Sequence, residues 1–352
     1  MAAMSRILRH CALVLSLAAA APASLAAQGR NSPDPQTIRA AVAECRAGGA
    51  RLPPRPVGIS DPHALDPAVI DLIAQTGVKW VRAEFHWSRI EPKPGAGYRW
   101  AAYDRMVAQF SQRGIQVLAI LTYIPEGYGR NWAAIDKGFQ AFATAAVQRY
   151  ARQGVHHWEI FNEPNLPGYG WLSKSDSASA HLGAYALLLA RANRAIRRHD
   201  PAGVVVLGGL ASDQHRGMAA ESVMRELYAL GIARCFDVMA YHPYGYQNRF
   251  PAARARIDRI LEAAGDGGKP VWFTEYGWTD FHAMDQRANA TAQTNPMMAA
   301  FSQLGASDGF FWFAAKDYSA RRNAPTFGLA SFDLEKRPSF ETFRRLVSGL
   351  DR

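Results

Sequence analysis

The sequence is poor in cysteine and has none of the spacings that mark a metal site. Three of its 352 residues are cysteines, and Cys11 lies within the first 27 residues. No Cys-x-x-Cys or His-x-x-x-His spacing occurs, which disfavours a zinc site. His156 and His157 are adjacent, so they point to opposite faces of a strand. We therefore expect neither a metal nor an organic cofactor.

Glycine-rich phosphate loops and clustered basic stripes are also lacking. The stretch GISDP (58–62) is not a nucleotide-binding turn, and Gly208-Gly209 is too short to cradle a phosphate. The formal net charge is +10, but only seven of the 40 basic residues are lysine and the arginines are scattered. This pattern argues against a nucleic-acid partner. Coding bias explains the arginine excess, with attraction to an acidic polymer as the functional alternative.

Residues 1–27 are predicted to be a cleaved export signal. Arg6, Arg9 and His10 give a basic front, residues 12–21 are small and apolar apart from Ser16, and Ser24-Leu25-Ala26 offers a cleavage site. The segment is too short to span a membrane, and no other run has 18 consecutive apolar residues. We expect a soluble, exported protein, periplasmic or secreted, with no membrane insertion.

Two cysteines, Cys45 and Cys235, remain after the signal is removed. Export permits a disulfide between them, but two cysteines make no framework. Two buried thiols are the simpler expectation, with the disulfide as the alternative.

Short apolar runs alternate with helical patterns along the rest of the chain. The runs cover 56–60, 78–85, 116–123, 156–163, 204–210, 236–244, 269–278 and 309–317. They are almost continuously apolar, which is typical of parallel strands covered by helices. Eight such units predict an α/β fold, a single-domain (β/α)8 TIM barrel over 56–352, with 28–55 as an extension and linker covering the barrel floor. A doubly wound open sheet is the alternative, disfavoured by the missing glycine-rich turn.

Acidic residues stand where the fourth and seventh strands end. WEIFNEPN (158–165) runs from a buried strand into Asn162 and Glu163, and Pro164 cannot continue the ladder. TEYGW (274–278) brings Glu275 to the end of the seventh strand. Barrel enzymes carry their chemistry at these strand ends, so both carboxylates are predicted to reach one pocket. A protonated and an ionised carboxyl flanking a pocket are the minimum for cleaving a glycosidic bond.

These motifs resemble those of clan A glycoside hydrolases, with the closest similarity to family 39 and related bacterial polysaccharide hydrolases. FNEP, YHPY and TEYGW carry the resemblance, together with VRAEFHWSRIEPKPGAGYRWAAYD (81–104). It covers nearly the whole mature chain. It implies a retaining double displacement in which Glu163 is the acid/base and Glu275 is the nucleophile.

The resemblance also implies roles for residues around the two carboxylates. Asn162 would bind the 2-hydroxyl of the sugar, and Arg82 would hold Glu275 ionised together with Tyr241 or His242. The structural alternatives are an Arg82 that pairs with Glu84 or Asp104 and a His242 that is simply buried.

Aromatic side chains are frequent near the predicted mouth. Trp312 would form the floor of the subsite for the attacked sugar, or it would belong to the core. Tyr123, Tyr244 and Trp171 are candidates for stacking on sugar rings, although large aromatics also fold long loops. Trp171 is the strongest of these, because residues 163–176 offer it little core to fill.

The sequence predicts a retaining β-glycosidase that cleaves within a polysaccharide. Family 39 xylosidases usually carry a β-sandwich after the barrel, and we expect no such domain after the eighth predicted helix here, which favours an open cleft and endo action. An exo-acting β-xylosidase or arabinosidase is the alternative enzyme. A non-catalytic polysaccharide-binding barrel is the alternative from another class. The partner in each case is a polysaccharide or oligosaccharide.

Overall fold

The protein forms a parallel barrel surrounded by helices. The computed structural model describes residues 32–49, 52–166, 177–212, 218–244, 250–279, 286–305, 308–320 and 326–350, and of residues 286–292 only the helical backbone. Within these ranges the strands form one nine-stranded sheet. None of the helices described there is long and apolar enough to cross a membrane.

The strands lie where the apolar runs predict them, and most of them have shorter ends. They are β1 (Val57–Ser60), β2 (Trp80–His86), β3 (Gln116–Thr122), β4 (His157–Ile160), β5 (Val204–Leu207), β6 (Leu210–Ala211), β7 (Met239–His242), β8 (Val271–Tyr276) and β9 (Gly309–Phe313). Their order is β5-β4-β3-β2-β1-β9-β8-β7-β6. Gly208 and Gly209 separate β5 from β6, and these two short strands together occupy one of the eight strand positions of the barrel. A bridge from Val206 to Val238 closes the ring. The predicted (β/α)8 barrel is confirmed.

Helices cover the outside of the barrel. They are α1 (Pro35–Ala43), α2 (Pro67–Gln75), α3 (Trp87–Ile90), α4 (Ala101–Gln112), α5 (Trp132–Tyr150), α6 (Ala178–His199), α7 (Ala220–Ala229), α8 (Phe250–Ala263), α9 (Gln286–Phe301) and α10 (Pro338–Gly349). Asp66 caps α2 by accepting from the Ala68 N–H at 2.9 Å, and Pro67 takes the first helical position. Pro296 lies inside α9, ten residues after the helix begins.

Alternation along the strands divides the core into two layers. The inner layer fills the lower barrel and consists of Trp80, Leu118, Val204, Val206, Val238, Ala240, Trp272 and Phe311. The larger outer layer lies between strands and helices and includes Val81, Phe85 and Tyr241. A residue's parity on its strand therefore decides whether it faces the barrel interior or the helices.

The N-terminal helix is fixed to the barrel by a disulfide between Cys45 and Cys235. The expectation of two separate thiols is wrong, because α1 lies along α6 and brings Cys45 beside the loop before β7. Asn193 of α6 fastens the same junction, since its Nδ2 donates to the carbonyls of Arg46 and Cys235, each at 3.0 Å. In the linker, Leu52 packs against the inner layer.

Candidate active site

Glu163 and Glu275 face each other at the carboxyl ends of the strands, as the sequence predicts. Glu163 follows β4, and Glu275 lies at the end of β8. A carboxylate oxygen of each and Nδ1 of His242 all lie within 4.8 Å of one another. The side chains of Glu163 and Glu275 are 6% and 12% exposed. The two carboxylates therefore share one nearly enclosed pocket.

The backbone after β4 adopts an uncommon conformation that carries Glu163 into the pocket. Glu163 has φ +44° and Phe161 has φ +61°. Residues other than glycine rarely adopt this left-handed region, and when they do they cluster at functional sites. The Glu163 N–H donates to the Gly209 carbonyl at 3.0 Å, which ties this turn to the break between β5 and β6.

A β-bulge in β8 brings two consecutive residues to the interior. The pairing of β8 with β9 shifts register between Phe273 and Tyr276. Thr274 contacts His242 and Glu275 contacts Arg82, both inside the barrel. A regular strand would turn one of the two outward.

Arg82 lies beneath Glu275 with every N–H group engaged. Nη1 donates to Glu275 Oε1 at 2.6 Å and to Ser60 Oγ at 3.0 Å. Nε and Nη2 donate to the two oxygens of Glu159 at 2.7 and 2.8 Å, and Nη2 also donates to Asn162 Oδ1 at 2.7 Å.

Burial alone would lower the pKa of Arg82, but the charges of Glu159 and Glu275 outweigh burial and leave this pKa raised. The alternative pairings with Glu84 and Asp104 do not form.

His242 contacts Glu163 more closely than Glu275. Its Nδ1 lies 3.0 Å from Glu163 Oε1 and 3.9 Å from Glu275 Oε2. Its Nε2 lies 3.0 Å from Thr274 Oγ1. A Cβ on Gly209 would stand 2.1 Å from His242 Nε2, so a side chain at 209 would displace the imidazole.

Tyr244, a candidate for stacking on sugar rings, binds the nucleophile candidate through its hydroxyl. Its hydroxyl donates to Glu275 Oε2 at 3.0 Å. Burial, followed by the charges of Glu275 and Glu163, raises the pKa of Tyr244 well above its ordinary value. The phenol therefore stays a hydrogen-bond donor at any physiological pH.

Tyr123 lies beside the pocket at the end of β3. Its ring stacks on His86 at 4.0 Å, and its hydroxyl is 3.4 Å from Glu84. Burial and the charges of Glu84 and Glu275 raise the pKa of Tyr123. Glu84 in turn lies 2.6 Å from His86 Nε2, which gives the wall formed by β2 and β3 a polar surface.

Two predicted site residues face the helices instead of the pocket. Trp312 is fully buried and packs on Tyr276 and on Phe343 of α10. Tyr241 belongs to the outer layer of the core. Both predictions are off by one residue along the strand. The side chains that face the barrel interior are those of the next residues, Phe313 and His242. Trp171 lies outside the described residues.

The glutamate of the Ile-Glu-Pro motif is structural. Glu91 is buried, and its carboxylate accepts from Trp87 Nε1 at 2.7 Å, from the Tyr128 hydroxyl at 3.1 Å and from the Gly95 N–H at 2.8 Å. It fixes the loop after α3 against the loop that precedes α5.

Sequence reasoning missed Glu159, Ser60 and Thr274. Glu159 is fully buried two residues after His157 on β4, and both side chains face inward. A charged residue in the middle of an apolar strand was the available signal, since such a residue is rarely buried unless it is paired. Glu163, His242 and Glu275 offer ligand atoms near enough for a metal, so the expectation of none stays a prediction.

Residues 57–318 match the family model described as cellulase (glycosyl hydrolase family 5). The chain belongs to this family. It is a glycoside hydrolase of clan A, whose glycosidases are retaining enzymes. The predicted clan is confirmed. The family model adds family 5 to the resemblance to family 39.

Solved glycosidases share the fold. A family 39 glycoside hydrolase from Bacteroides cellulosilyticus is 17% identical with a TM-score of 0.63, and the match covers 84% of this chain and 64% of that one. A family 39 β-xylosidase from Caulobacter crescentus is 20% identical with a TM-score of 0.64, covering 86% and 73%. A family 1 β-glucosidase from Thermotoga maritima is 14% identical with a TM-score of 0.59, covering 81% and 85%. No curated protein matches the sequence.

Proposed function

We propose that this protein is an exported, retaining β-glycosidase that cleaves within a polysaccharide chain. The distance between Glu163 and Glu275 carries the proposal, since oxygens of the two carboxylates lie within 4.8 Å. Retaining glycosidases hold their carboxyls about 5–5.5 Å apart, whereas inverting ones need about 6.5–9.5 Å to admit a water. The pocket therefore favours direct attack by a carboxylate over attack by water.

Glu275 is the nucleophile of the first step. The Arg82 guanidinium and the Tyr244 hydroxyl hold its two oxygens separately, at 2.6 and 3.0 Å. One oxygen attacks the anomeric carbon and forms a glycosyl ester, while Glu163 gives its proton to the departing oxygen. The bond to the leaving sugar breaks with its electron pair.

Glu163 changes role in the second step. Now ionised, it takes a proton from an incoming water, whose oxygen attacks the anomeric carbon and releases Glu275. Asn162 binds the 2-hydroxyl, and its Oδ1 is already fixed by Arg82. This contact strengthens as positive charge develops on the sugar ring.

Trapping of the covalent intermediate tests this mechanism. The protein is incubated with 2-deoxy-2-fluoro-β-glycosyl fluorides of glucose, galactose, mannose and xylose, and the labelled peptide is sequenced by mass spectrometry. We expect a mass increase of one fluorosugar on Glu275. No adduct with any reagent, together with retained polysaccharide binding, would instead favour a non-catalytic binding barrel.

Product size distinguishes endo from exo action. Tyr123 beside the pocket and the predicted mouth residue Trp171 support endo cleavage, whereas the fold match to a β-xylosidase is the observation that favours an exo-acting xylosidase. A screen of bacterial and plant polysaccharides for new reducing ends identifies the substrate. A ladder of oligosaccharides supports endo action, and release of monosaccharide alone supports the second candidate.

The disulfide supports export. Bonds such as Cys45–Cys235 persist in oxidising compartments and are rare in the cytosol. Fractionation of cells that express the full chain, with N-terminal sequencing of the product, tests this. We expect the mature protein in the periplasm or medium, beginning near residue 28.

A further inference from the structure

A continuous line of hydrogen bonds joins the two facing carboxylates through a third, fully buried one. Each contact in this line lies between 2.6 and 3.4 Å. The line runs from Glu275 through Arg82, Glu159, Thr274 and His242 to Glu163. Glu159 stands at its middle, on β4, four residues before Glu163.

The donors along this line can be assigned from its charged centre. Glu159 accepts two hydrogen bonds from Arg82 and one from the Gly209 N–H at 3.0 Å, and this geometry assigns its oxygens as acceptors. The Thr274 hydroxyl therefore donates to Glu159, and its oxygen accepts from His242 Nε2–H. A neutral His242 with its proton on Nε2 presents a lone pair on Nδ1.

That lone pair faces Glu163 Oε1 at 3.0 Å. The negative charge of an ionised Glu163 would repel this lone pair, whereas a protonated Glu163 donates a hydrogen bond to it. The geometry points to Glu159 as a positioning residue that fixes the Nε2–H tautomer of His242 and thereby keeps the proton on Glu163 before reaction. This inference rests on the proposed function in one respect, that Glu163 gives this proton to the departing oxygen.

Glu159 also shares the positive charge of Arg82 with Glu275. Two of the five N–H bonds of the guanidinium go to Glu159, and one goes to Glu275. An Arg82 paired with Glu275 alone would draw more negative charge from the Glu275 carboxylate and make it a weaker nucleophile. Glu159 thus limits how strongly Arg82 acts on Glu275.

Several other described residues face the carboxylates of this line. His242 from β7, Glu275 from β8 and Tyr244 face Glu163. Arg82, Tyr244, Tyr123 and His242 face Glu275. Tyr185 of α6 faces Glu159 from outside the strands and keeps its proton, because burial raises its pKa. Arg82 is the charged partner that Glu159 and Glu275 have in common.

Nitrogen NMR of the histidine rings tests the tautomer without any substrate. The full mature chain is labelled with 15N-histidine, and the His242 signals are assigned by their loss in His242→Gln. We expect Nε2 protonated and Nδ1 unprotonated at pH 7. In Glu159→Gln and in the isosteric Thr274→Val, this single tautomer gives way to a mixture. A wild-type His242 with its proton on Nδ1, or an imidazolium, overturns the inference.

The pH dependence of labelling tests the charge sharing. The rate of labelling by the 2-deoxy-2-fluoro-β-glycosyl fluoride that reacts fastest with the wild type reports ionisation of Glu275, because fluoride leaves without acid assistance. Glu159→Gln should move the acid limb to lower pH, since a negative charge is lost beside Arg82. Thr274→Val should leave that limb in place.

Asp200→Asn is the matched control. Asp200 is a buried carboxylate at the opposite end of β4, where it accepts from Trp158 Nε1 at 3.1 Å. Its substitution should change neither the tautomer nor the acid limb. An unmoved acid limb in Glu159→Gln overturns the charge sharing. If no reagent labels the wild type, the proposed hydrolase mechanism fails while the NMR result still decides the tautomer.

Discussion

Trp312 and Phe313 are neighbours on β9 and lie on opposite faces of the barrel. Trp312 packs against Phe343 of α10, with ring centroids 6.3 Å apart. Phe313 is half-buried, shares the inward parity of Phe311 and contacts Phe327 at 5.5 Å. One position in register thus separates a core side chain from one that faces the barrel interior.

Alanine at each of these two positions should therefore have different effects. Trp312→Ala leaves a cavity in the outer core and should lower the free energy of unfolding by about 3–5 kcal/mol. Phe313→Ala should cost less stability but reduce the rate of labelling by fluorosugars. Urea unfolding and labelling kinetics on both variants check this. Equal loss of stability would contradict the assignment of faces.

Substitution of the two facing carboxylates should separate their roles. Glu275→Gln should lose all turnover while keeping the wild-type unfolding midpoint, because a residue at the pocket carries little packing. Glu163→Gln should slow hydrolysis by about 10²–10⁴-fold for a poor leaving group, but much less for a dinitrophenyl one. The measurement is kcat/KM with both leaving groups, because this parameter reports the first step and leaves out the second, in which Glu163 is the base. Similar losses for both would contradict the acid role of Glu163.

Loss of the disulfide should destabilise the whole chain. The bond joins residues 190 apart, and Cys45→Ala should lower the free energy of unfolding by about 2–4 kcal/mol. Cys235→Ala should cost a similar amount, and the double variant should cost little more than either. Denaturant unfolding with and without dithiothreitol measures this. A wild type unaffected by reductant would favour two separate thiols.

His157 should make the fold sensitive to acid. It is buried between Trp80 and Trp272, and burial lowers its pKa from 6.5 to about 3. Below pH 6.5 the unfolded chain therefore binds a proton at His157 that the folded chain does not bind. The contribution of neutral His157 to the free energy of unfolding is complete above pH 6.5 and is lost as the pH falls toward 3. At pH 4 the loss is about 3 kcal/mol.

His157→Leu should remove this part of the pH dependence. Urea unfolding at pH 7 and at pH 4 should show a smaller difference for the variant than for the wild type. His63→Leu, at a partly exposed position, serves as the control and should keep the wild-type difference. An equal difference in all three proteins would assign acid sensitivity to other groups.

The sequence predicts the barrel and its carboxylates but not the faces of individual residues. Apolar runs and the acidic strand ends are local signals, so β4, β8, Glu163 and Glu275 follow from them. GFFWF (309–313) is apolar at every position except Gly309, and composition therefore cannot tell which parity faces inward. The bulge in β8 and the pairing of Cys45 with Cys235 depend on neighbours distant in sequence, which a single sequence does not reveal.

The bulge in β8 has a consequence for transplanting this site into other barrels. Because it turns Thr274 and Glu275 inward together, the strand carries one residue more than simple alternation requires. Deleting a single residue there would rotate either the Thr274 hydroxyl or the Glu275 carboxylate toward the helices, with the composition almost unchanged. A grafted segment must reproduce that extra residue as well as the glutamate.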